Sequence, residues 1–204
     1  MELLLATGNA HKVAELRAML APLGVRVLTP DEVGGLPEVE EDGATFAANA
    51  AKKAVSAARH ARRWALADDS GLCVDALDGA PGIHSARYAG THGDDAGNNA
   101  KLLRELAGVE DANRGAAFVC ALVLASPEGE VAATFEERTR GRILHAEEGA
   151  GGFGYDPLFL FTEPDLPQTG RCFATLDQDE KGAVSHRGRA LRALAKALPH
   201  LQER

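Results

Sequence analysis

The start of the chain follows a strand–turn–helix–strand pattern, which limits the fold more than any other feature of the sequence. Leu3 to Ala6 is a short apolar run, and the turn residues Thr7-Gly8-Asn9 follow it. Apolar residues then recur at helical spacing, at Val13, Leu16, Leu20 and Leu23. Gly24 ends this helix, and Val25 to Leu28 starts a second strand. Because a helical crossover joins parallel strands, the pattern predicts an α/β fold.

Strands and helices alternate along the rest of the chain. We predict, in chain order, a helix from Thr45 to about Arg62 and a strand from Trp64 to Ala67, followed by a turn at Asp68-Asp69-Ser70-Gly71. A strand from Leu72 to Val74 and a tight loop from Gly79 to Gly82 come next. The following helix is capped by Asp94 or Asp95 and reaches Leu106. We then predict an antiparallel hairpin of Ala116 to Ala125 and Val131 to Arg138 with Arg142 to Leu144 as its extension, a glycine-rich loop from Gly149 to Gly154, a strand from Leu158 to Phe161, and a last helix from about Arg187 to Leu198. The sequence has no internal repeat and no linker, so we expect one domain over residues 1–204.

The charge balance and the length of the apolar runs exclude several classes of function. Thirty acidic residues against 22 basic ones give a formal net charge of -8, which disfavours binding to a nucleic-acid polymer or to an anionic membrane. The apolar run that contains Phe118 to Ala125 is far shorter than the roughly 20 residues that cross a bilayer. The N-terminus lacks the pattern of a secretory signal, and we therefore expect a cytoplasmic protein.

The cysteines and the common catalytic motifs give mainly negative information. Cys73, Cys120 and Cys172 are widely spaced and form no C-x-x-C motif, so we expect reduced thiols with packing roles and no zinc site. The sequence also has neither a G-x-S-x-G elbow nor a Walker A loop. It therefore predicts neither an acyl-transfer triad nor a P-loop.

The turn after the first predicted strand is a candidate phosphate site. It comprises Thr7, Gly8, Asn9, Ala10, His11 and Lys12. Backbone N–H groups at the start of a helix attract anions, and Lys12 adds a positive charge in the first helical turn. The alternative is an ordinary turn between strand and helix, in which Gly8 serves the backbone geometry and Lys12 is solvated.

Carboxylates on both sides of the second predicted helix form another candidate site. Asp68 and Asp69 follow an apolar strand, so one of them would face the site and the other would hold the turn. If both are partly buried, their mutual repulsion would raise the pKa of one. Glu41 and Asp69 would suit Mg²⁺, which prefers oxygen ligands. Lys53 shares a helix face with Asn49 and would reach the same place. The alternatives are a solvated acidic loop and a solvated Lys53.

Two segments in the C-terminal half have the residues that bind a planar ligand. Glycines in the segment Gly149 to Pro157 would let the backbone approach a ring on which Phe153 stacks, although a hairpin-end loop with a core Phe fits equally well. Lys181 and the run Ser185-His186-Arg187 can donate to a carbonyl oxygen of a base. Polar residues are also common at helix starts, which is the alternative for the second segment.

Seven motifs, taken in order, resemble those of the inosine triphosphate pyrophosphatase family, whose members are also called dITP/XTP pyrophosphatases. The motifs are Thr7-Gly8-Asn9-x-x-Lys12, Glu40-Glu41-Asp42-Gly43-x-Thr45-Phe46, Asn49-x-x-x-Lys53, Ala67-Asp68-Asp69-Ser70-Gly71-Leu72, the segment from Gly79 to Tyr88, Gly151-Gly152-Phe153-Gly154-Tyr155-Asp156-Pro157, and Ser185-His186-Arg187-Gly188. The resemblance extends from about Leu3 to Leu198, which is essentially the whole chain.

The resemblance implies both a fold and an activity. The family fold is α/β, elongated and two-lobed, with a long mixed β-sheet flanked by helices and a central active-site cleft, and its members are usually homodimers. The implied reaction is the Mg²⁺-dependent hydrolysis of ITP, dITP and XTP to the nucleoside monophosphate and pyrophosphate. This reaction removes deaminated purines from the nucleotide pool.

The resemblance also implies a role for each motif residue. The segment Thr7 to Lys12 would hold the triphosphate together with Lys53 and Ser70. Glu41 and Asp69 would bind the metal, and Asp69 would also accept the proton of the attacking water, with Lys53 as its catalytic partner. The base and sugar would pack on Phe153, Gly154, Tyr155 and Asp156, and the base would contact Lys181, His186 and Arg187.

Three alternatives to this activity differ in chemistry. The first is a related pyrophosphatase with another base preference. The second is a phosphatase with an aspartyl nucleophile at Asp68 or Asp69, which the lack of a D-x-D pattern at the end of a predicted strand disfavours. The third is a nucleotide-binding module without turnover, which the presence of both Glu41 and Asp69 disfavours.

Overall fold

The computed structural model describes residues 2–201 as an α/β protein. The strands are β1 (Glu2–Leu5), β2 (Arg26–Leu28), β3 (Ala65–Val74), β4 (Gly115–Ala125), β5 (Val131–Ile143) and β6 (Phe159–Phe161). The helices are α1 (Ala10–Leu20), α2 (Phe46–Ala61), α3 (Asp95–Glu105), α4 (Gln178–Val184) and α5 (His186–Leu201). The α/β fold class that the sequence predicts is therefore confirmed.

The strands of the described chain form a six-stranded mixed sheet in the order β2-β1-β3-β4-β5-β6. β1 is parallel to β2, with Leu3 opposite Val27, and parallel to β3, with Leu4 opposite Ala65. β6 is antiparallel to β5. The parallel pairing of β1 with β2 confirms the crossover that the first strand–helix–strand pattern predicts.

β4 and β5 form the predicted hairpin. At the turn, the N–H of Ser126 donates to the carbonyl of Glu130 at 2.8 Å. At the other end, the N–H of Ile143 donates to the carbonyl of Arg114 at 2.9 Å. These bonds join the end of one strand to the start of the other, which is the antiparallel arrangement. The predicted extension of the hairpin is confirmed as far as Ile143.

The chain divides into two compact units. Unit 1 comprises the chain up to Asp69, the segment Cys120–Glu137 and the chain from Arg187 onward. Unit 2 comprises Ser70–Val119 and Arg138–His186. A single domain with two lobes around one cleft stays a prediction.

The core of unit 1 is aliphatic. α1 contributes Leu16 and Leu20, which lie four residues apart and therefore share a helix face. The other buried members of this cluster are Leu3, Leu5, Val25, Leu66, Cys120, Leu122, Leu124, Ala190, Leu191, Leu194 and Leu198. The predicted apolar stripe on the last helix is thus confirmed, and it packs in the core of unit 1.

The core of unit 2 is aromatic. Phe118, Phe159 and Phe173 contact one another, with ring centroids 4.6 Å apart for Phe118–Phe159 and 4.8 Å apart for Phe159–Phe173. Leu72, Leu102, Leu158 and Val184 are other buried members of this cluster. This core supports the end of the glycine-rich loop, because Tyr155 and Leu158, which follow the loop, belong to the same cluster.

Two local predictions are wrong, and one helix was not predicted. Asp68-Asp69-Ser70-Gly71 is not a turn but the middle of β3, where a Cβ on Gly71 would lie 2.6 Å from the carbonyl oxygen of Gly82. Leu23 does not continue the stripe of α1, because the chain tightens into a 3-10 turn after Leu20 and leaves Leu23 45% exposed. Helix α4 was not predicted, although Asp177 and Glu180 form a capping box at its start.

The structure also describes the longest helices and the three cysteines. Over residues 2–201, no helix has both the length and the apolar character needed to cross a membrane. The three cysteines, all of which lie within this range, are thiols and are not joined by disulfide bonds. Cys120 and Cys172 are buried, in agreement with the expected packing roles.

Candidate active site

The turn between β1 and α1 has the geometry of a helix N-cap. The side-chain oxygen of Asn9 accepts a hydrogen bond from the backbone N–H of Lys12 at 3.1 Å. The backbone N–H of Asn9 donates to the hydroxyl of Thr7 at 3.2 Å. The first turn of α1 contains no acidic side chain of its own, so its free N–H groups and the helix dipole favour an anion there. The turn therefore has the electrostatics of an anion site.

Gly8 lines a pocket of about 410 Å³ in unit 1, together with Thr7, Glu41 and Lys53. A Cβ on Gly8 would meet no atom within 4 Å, and its φ angle is not in the left-handed region. Neither packing nor backbone geometry therefore requires a glycine here. The missing side chain leaves room for a ligand beside the pocket, and the phosphate site stays a prediction.

Asp68 is the centre of a buried ion network in unit 1. Its side chain is 0% exposed and accepts hydrogen bonds from the ammonium of Lys12, from Nε of Arg187 at 2.8 Å and from the thiol of Cys120 at 3.2 Å. Burial raises the pKa of Asp68, but the charges of Arg187 and Lys12 outweigh burial and hold this pKa well below the ordinary value. Asp68 is therefore ionised and fixes the Lys12 ammonium.

Asp69, the next residue of β3, binds a different partner. Its Oδ1 accepts a hydrogen bond from Nζ of Lys53 at 2.8 Å, and the same Nζ lies 3.3 Å from Oε2 of Glu41 and 3.2 Å from the carbonyl oxygen of Asp68. Successive side chains of a strand point to opposite faces, which explains the separate partners of Asp68 and Asp69. Lys53 thus bridges the two carboxylates that the sequence predicts as metal ligands.

The pKa of Asp69 is shifted in the direction opposite to that of Asp68. Burial raises the pKa of Asp69, and this effect outweighs the charge of Lys53. The prediction that one of the adjacent carboxyls has a raised pKa is confirmed, but the main cause is burial and not mutual repulsion. Burial lowers the pKa of Lys53, whereas Asp69 and Glu41 outweigh burial and raise it, so Lys53 is a cation at neutral pH.

Asn49 positions the acidic loop that contains Glu41. Its side chain is buried, and its Oδ1 accepts a hydrogen bond from the N–H of Gly43 at 2.8 Å. A Cβ on Gly43 would lie 2.6 Å from that same oxygen. The predicted common face of Asn49 and Lys53 is confirmed, because Asn49 holds the loop at Gly43 while Lys53 contacts it at Glu41.

The donor set in unit 1 fits a divalent cation bound together with phosphate. Oδ2 of Asp69 is buried and accepts no hydrogen bond from the described residues. An unsatisfied buried carboxylate oxygen is costly, and a cation would satisfy it. Within residues 2–201 no group of three or more His, Cys, Asp or Glu side chains could hold a metal. Glu41 and Asp69, which both contact Lys53, suit Mg²⁺, because this ion commonly takes one or two carboxylates plus substrate phosphates.

The predicted base-binding residues of unit 2 form a second cluster. The carboxylate of Asp156 accepts hydrogen bonds from Nζ of Lys181 at 2.7 Å and from the N–H of Phe153 at 2.8 Å. The Lys181 ammonium lies 4.8 Å from the centroid of the Phe153 ring. The side chains of Asp156 and Lys181 are 4% and 9% exposed. The structure thus brings the Phe153 ring and the Lys181 ammonium together beside the buried carboxylate of Asp156.

Tyr155 and His186 pack in unit 2. The hydroxyl of Tyr155 donates to the carbonyl of Ser85 at 2.9 Å, and the side chain lies in the aromatic core. Packing of the Tyr155 side chain on a base or sugar is therefore not what the structure shows. The His186 ring is buried and stacks on Phe118 at a centroid distance of 4.8 Å. A contact between His186 and a base stays a prediction.

Arg187 is assigned to unit 1, whereas Phe153, Lys181 and His186 belong to unit 2. Its guanidinium binds Asp68 and also lies 2.5 Å from Oε2 of Glu15. Its side chain is only 2% exposed. The structure therefore describes Arg187 as the partner of two carboxylates, and its predicted contact with the base stays a prediction.

The structure describes the other predicted site residues as follows. Ser70 lies in β3 beside Asp69 and is partly exposed, His11 is exposed in the first turn of α1, and Gly154 is partly exposed in the glycine-rich segment. Sequence reasoning missed Asp95 and Asn99 of α3, both of which bind Gly154. The four-residue spacing of Asp95 and Asn99 in the sequence places them on one helix face, but no residue near them in the sequence indicates what they bind.

Taken by itself, unit 1 has the features of an α/β protein that binds a phosphorylated ligand with lysines and carboxylates. The chain belongs to the Ham1 family, whose sequence profile matches residues 3–197.

Several well-matched relatives share one description. A dITP/XTP pyrophosphatase of Rhodopirellula baltica is 50% identical over 200 residues, which cover 98% of this chain and 94% of that protein. A dITP/XTP pyrophosphatase of Desulforamulus reducens is 50% identical over 201 residues, covering 98% and 97%. The solved structure of a HAM1 protein from Coxiella burnetii has a TM-score of 0.86 and 39% identity, covering 98% of this chain and 99% of that one.

Proposed function

We propose that the protein is a nucleoside triphosphate pyrophosphohydrolase that converts ITP, dITP and XTP to the nucleoside monophosphate and pyrophosphate. The observation that supports this most directly is Asp69, a buried carboxylate with a raised pKa and an unsatisfied oxygen, held by Lys53 beside Glu41. Relatives that are half identical over nearly the full length are dITP/XTP pyrophosphatases, which supports the same substrate class.

The reaction needs a base for water and positive charge for the phosphates. In our proposal the oxygen of water attacks the α-phosphorus, its proton moves to Asp69, and the bond from the α-phosphorus to the bridging oxygen breaks. Pyrophosphate then leaves with the electron pair of that bond. Lys53 and Lys12 stabilise the charge that develops on the phosphate oxygens, and the N–H groups at the start of α1 add to this effect. The raised pKa of Asp69 suits a base, because it increases the affinity of the carboxylate for the proton.

Glu41 and Asp69 would hold Mg²⁺ in this scheme. When bound, the metal would neutralise part of the triphosphate charge and help to orient it. Lys53 contacts both carboxylates and would keep them near each other while the phosphates bind.

The cluster in unit 2 supports the choice of base. Hypoxanthine and xanthine have a carbonyl acceptor at the purine 6-position, whereas adenine has an amino donor there. Lys181 would donate to that carbonyl, and the Phe153 ring would stack on the purine. An adenine would leave buried donors unpaired at a cost of about 1–3 kcal/mol each, so ATP would be a poor substrate. The roles of His186 and Arg187 at the base, the homodimer and the cytoplasmic location stay predictions.

Steady-state kinetics on ITP, XTP, GTP, ATP, dTTP and UTP with Mg²⁺ test the proposed function. We expect pyrophosphate and nucleoside monophosphate as the only first products, and a higher kcat/KM for ITP and XTP than for ATP. Faster hydrolysis of dTTP or UTP would contradict the substrate class. Orthophosphate as the first product would instead indicate a phosphatase, and binding without turnover would indicate a nucleotide-binding module.

The metal site gives a separate prediction. Glu41→Gln keeps the shape of the side chain but removes its charge, so the Mg²⁺ concentration needed for half-maximal ITP hydrolysis should rise about tenfold. Binding of Mn²⁺ in the presence of a non-hydrolysable ITP analogue, followed by electron paramagnetic resonance, should weaken in parallel. Glu40→Gln, on the neighbouring residue of the same loop, is the matched control. Equal metal requirements in both variants would remove Glu41 from the site.

A further inference from the structure

The backbone of Gly154 is bound on both sides by side chains of α3. Its N–H donates to Oδ2 of Asp95 at 2.8 Å, and its carbonyl oxygen accepts a hydrogen bond from Nδ2 of Asn99 at 3.1 Å. Asp95 and Asn99 are four residues apart in one helix and therefore face the same way. One turn of α3 thus fixes the amide and the carbonyl of a single residue.

Asn99 also connects the two ends of the glycine-rich segment. Its Nδ2 donates to Oε1 of Glu147 at 3.0 Å, just before that segment, as well as to Gly154 near its end. Asn99 is buried, and its Oδ1 accepts no hydrogen bond from the described residues. The orientation of the amide is therefore set by its NH₂ group, which binds Glu147 and Gly154.

Gly154 is next to the ring that forms the second cluster. Its φ of +61° lies in the left-handed region, which favours glycine. Phe153, the preceding residue, donates its N–H to Asp156, and Asp156 in turn holds Lys181. A shift of the Gly154 peptide would therefore move the Phe153 ring relative to the Lys181 ammonium.

We propose that Asp95 and Asn99 are positioning residues that determine base selectivity through the peptide of Gly154. This inference depends on the proposed function, in which Phe153 and Lys181 bind the base. It adds two residues of α3 that have no place in the seven motifs. Their effect is on the geometry of the ring and the ammonium, and not on the chemistry at Asp69.

Asn99→Asp is the sharpest test, because it changes one donor group to an acceptor without a change of size. The new carboxylate would face the carbonyl of Gly154 and the carboxylate of Glu147, and would repel both. We expect the KM for ITP to rise about tenfold, the ratio of kcat/KM for ITP to that for ATP to fall about tenfold, and kcat to stay within about twofold. Asp95→Ala should act in the same direction, and Asp95→Asn, which keeps an acceptor for the Gly154 N–H, should restore the selectivity.

Asn98→Asp is the matched control. Asn98 is buried beside Asn99, but its Oδ1 accepts a hydrogen bond from the N–H of Ala89, and an aspartate keeps that acceptor. The control thus reproduces the cost of a buried charge while the bonds to Gly154 remain. If Asn98→Asp changes selectivity as much as Asn99→Asp, the effect is general destabilisation and the proposal is overturned.

Hydrogen–deuterium exchange of the segment from Glu147 to Asp156, measured without nucleotide, separates this inference from the proposed function. Exchange at the Gly154 amide should be about tenfold faster in Asn99→Asp and in Asp95→Ala than in the wild type and in Asn98→Asp. If the wild type hydrolyses no purine triphosphate, the proposed function and the selectivity role both fail, whatever the exchange result. If the wild type is active and exchange and selectivity are unchanged in Asn99→Asp, only the positioning role fails.

Discussion

Asp69→Asn is expected to lower kcat for ITP hydrolysis by about 10²- to 10⁴-fold, the range that a positioned general base contributes. Asparagine has the same size and can still bind Lys53 through its side-chain oxygen, but it cannot accept the proton of the attacking water. Affinity for a non-hydrolysable ITP analogue should change less than kcat, because Lys12 and Lys53 remain. Single-turnover hydrolysis and calorimetric binding measure the two effects separately.

Asp42→Asn is the control for this substitution. Asp42 lies in the same acidic loop as Glu41, but it pairs with Lys52 in an exposed position, and we expect wild-type kcat. Undiminished turnover in Asp69→Asn would remove Asp69 from the role of base.

The pH dependence of turnover tests the same role of Asp69. Wild-type kcat should decrease once the pH is low enough to protonate Asp69, because the protonated carboxyl cannot act as a base. In the metal-free protein, burial raises the pKa of this carboxyl above the ordinary value near 3.8.

The sequence predicts those parts of the fold in which local patterns and tertiary contacts agree. The apolar run Leu3 to Ala6, the Asn9 cap and the leucines of α1 all favour the same strand–turn–helix, and the structure contains it. Asp69 could be predicted as a functional residue for a related reason. Two adjacent carboxylates directly after an apolar run have no packing role that the neighbouring residues in the sequence explain, and this favours a functional role.

The sequence could not predict features that depend on distant partners. Asp68-Asp69-Ser70-Gly71 has the composition of a turn, yet it continues β3, because Arg187, 119 residues away, neutralises Asp68. In the sequence, Arg187 has the residue type and the position of a ligand-binding residue at the start of a helix. Only the folded chain shows that Asp68 and Glu15 bind its guanidinium.

This partnership makes the stability of the protein depend strongly on Arg187. Arg187→Ala should lower the free energy of unfolding by about 3–5 kcal/mol, the usual cost when one partner of a buried ion pair is removed. The side chains of Arg187 and Asp68 are 2% and 0% exposed, so water would not easily solvate the remaining carboxylate. Urea denaturation followed by circular dichroism at neutral pH measures the effect. Arg63→Ala, which removes an exposed pair with Glu2, should cost about 0–1 kcal/mol.

The loss in Arg187→Ala should also depend on pH in a defined direction. The pKa of Asp68 in the folded protein is lowered, so the stability it contributes is present above the ordinary value near 3.8 and is lost as the pH falls through the folded pKa. The difference between the wild type and Arg187→Ala should therefore be largest at neutral pH and shrink in acid. If Arg187 acts only at the base, the two proteins should unfold at the same urea concentration at every pH and differ only in KM for ITP. A difference below about 1 kcal/mol at neutral pH would thus show that the ion network around Asp68 does not stabilise the fold.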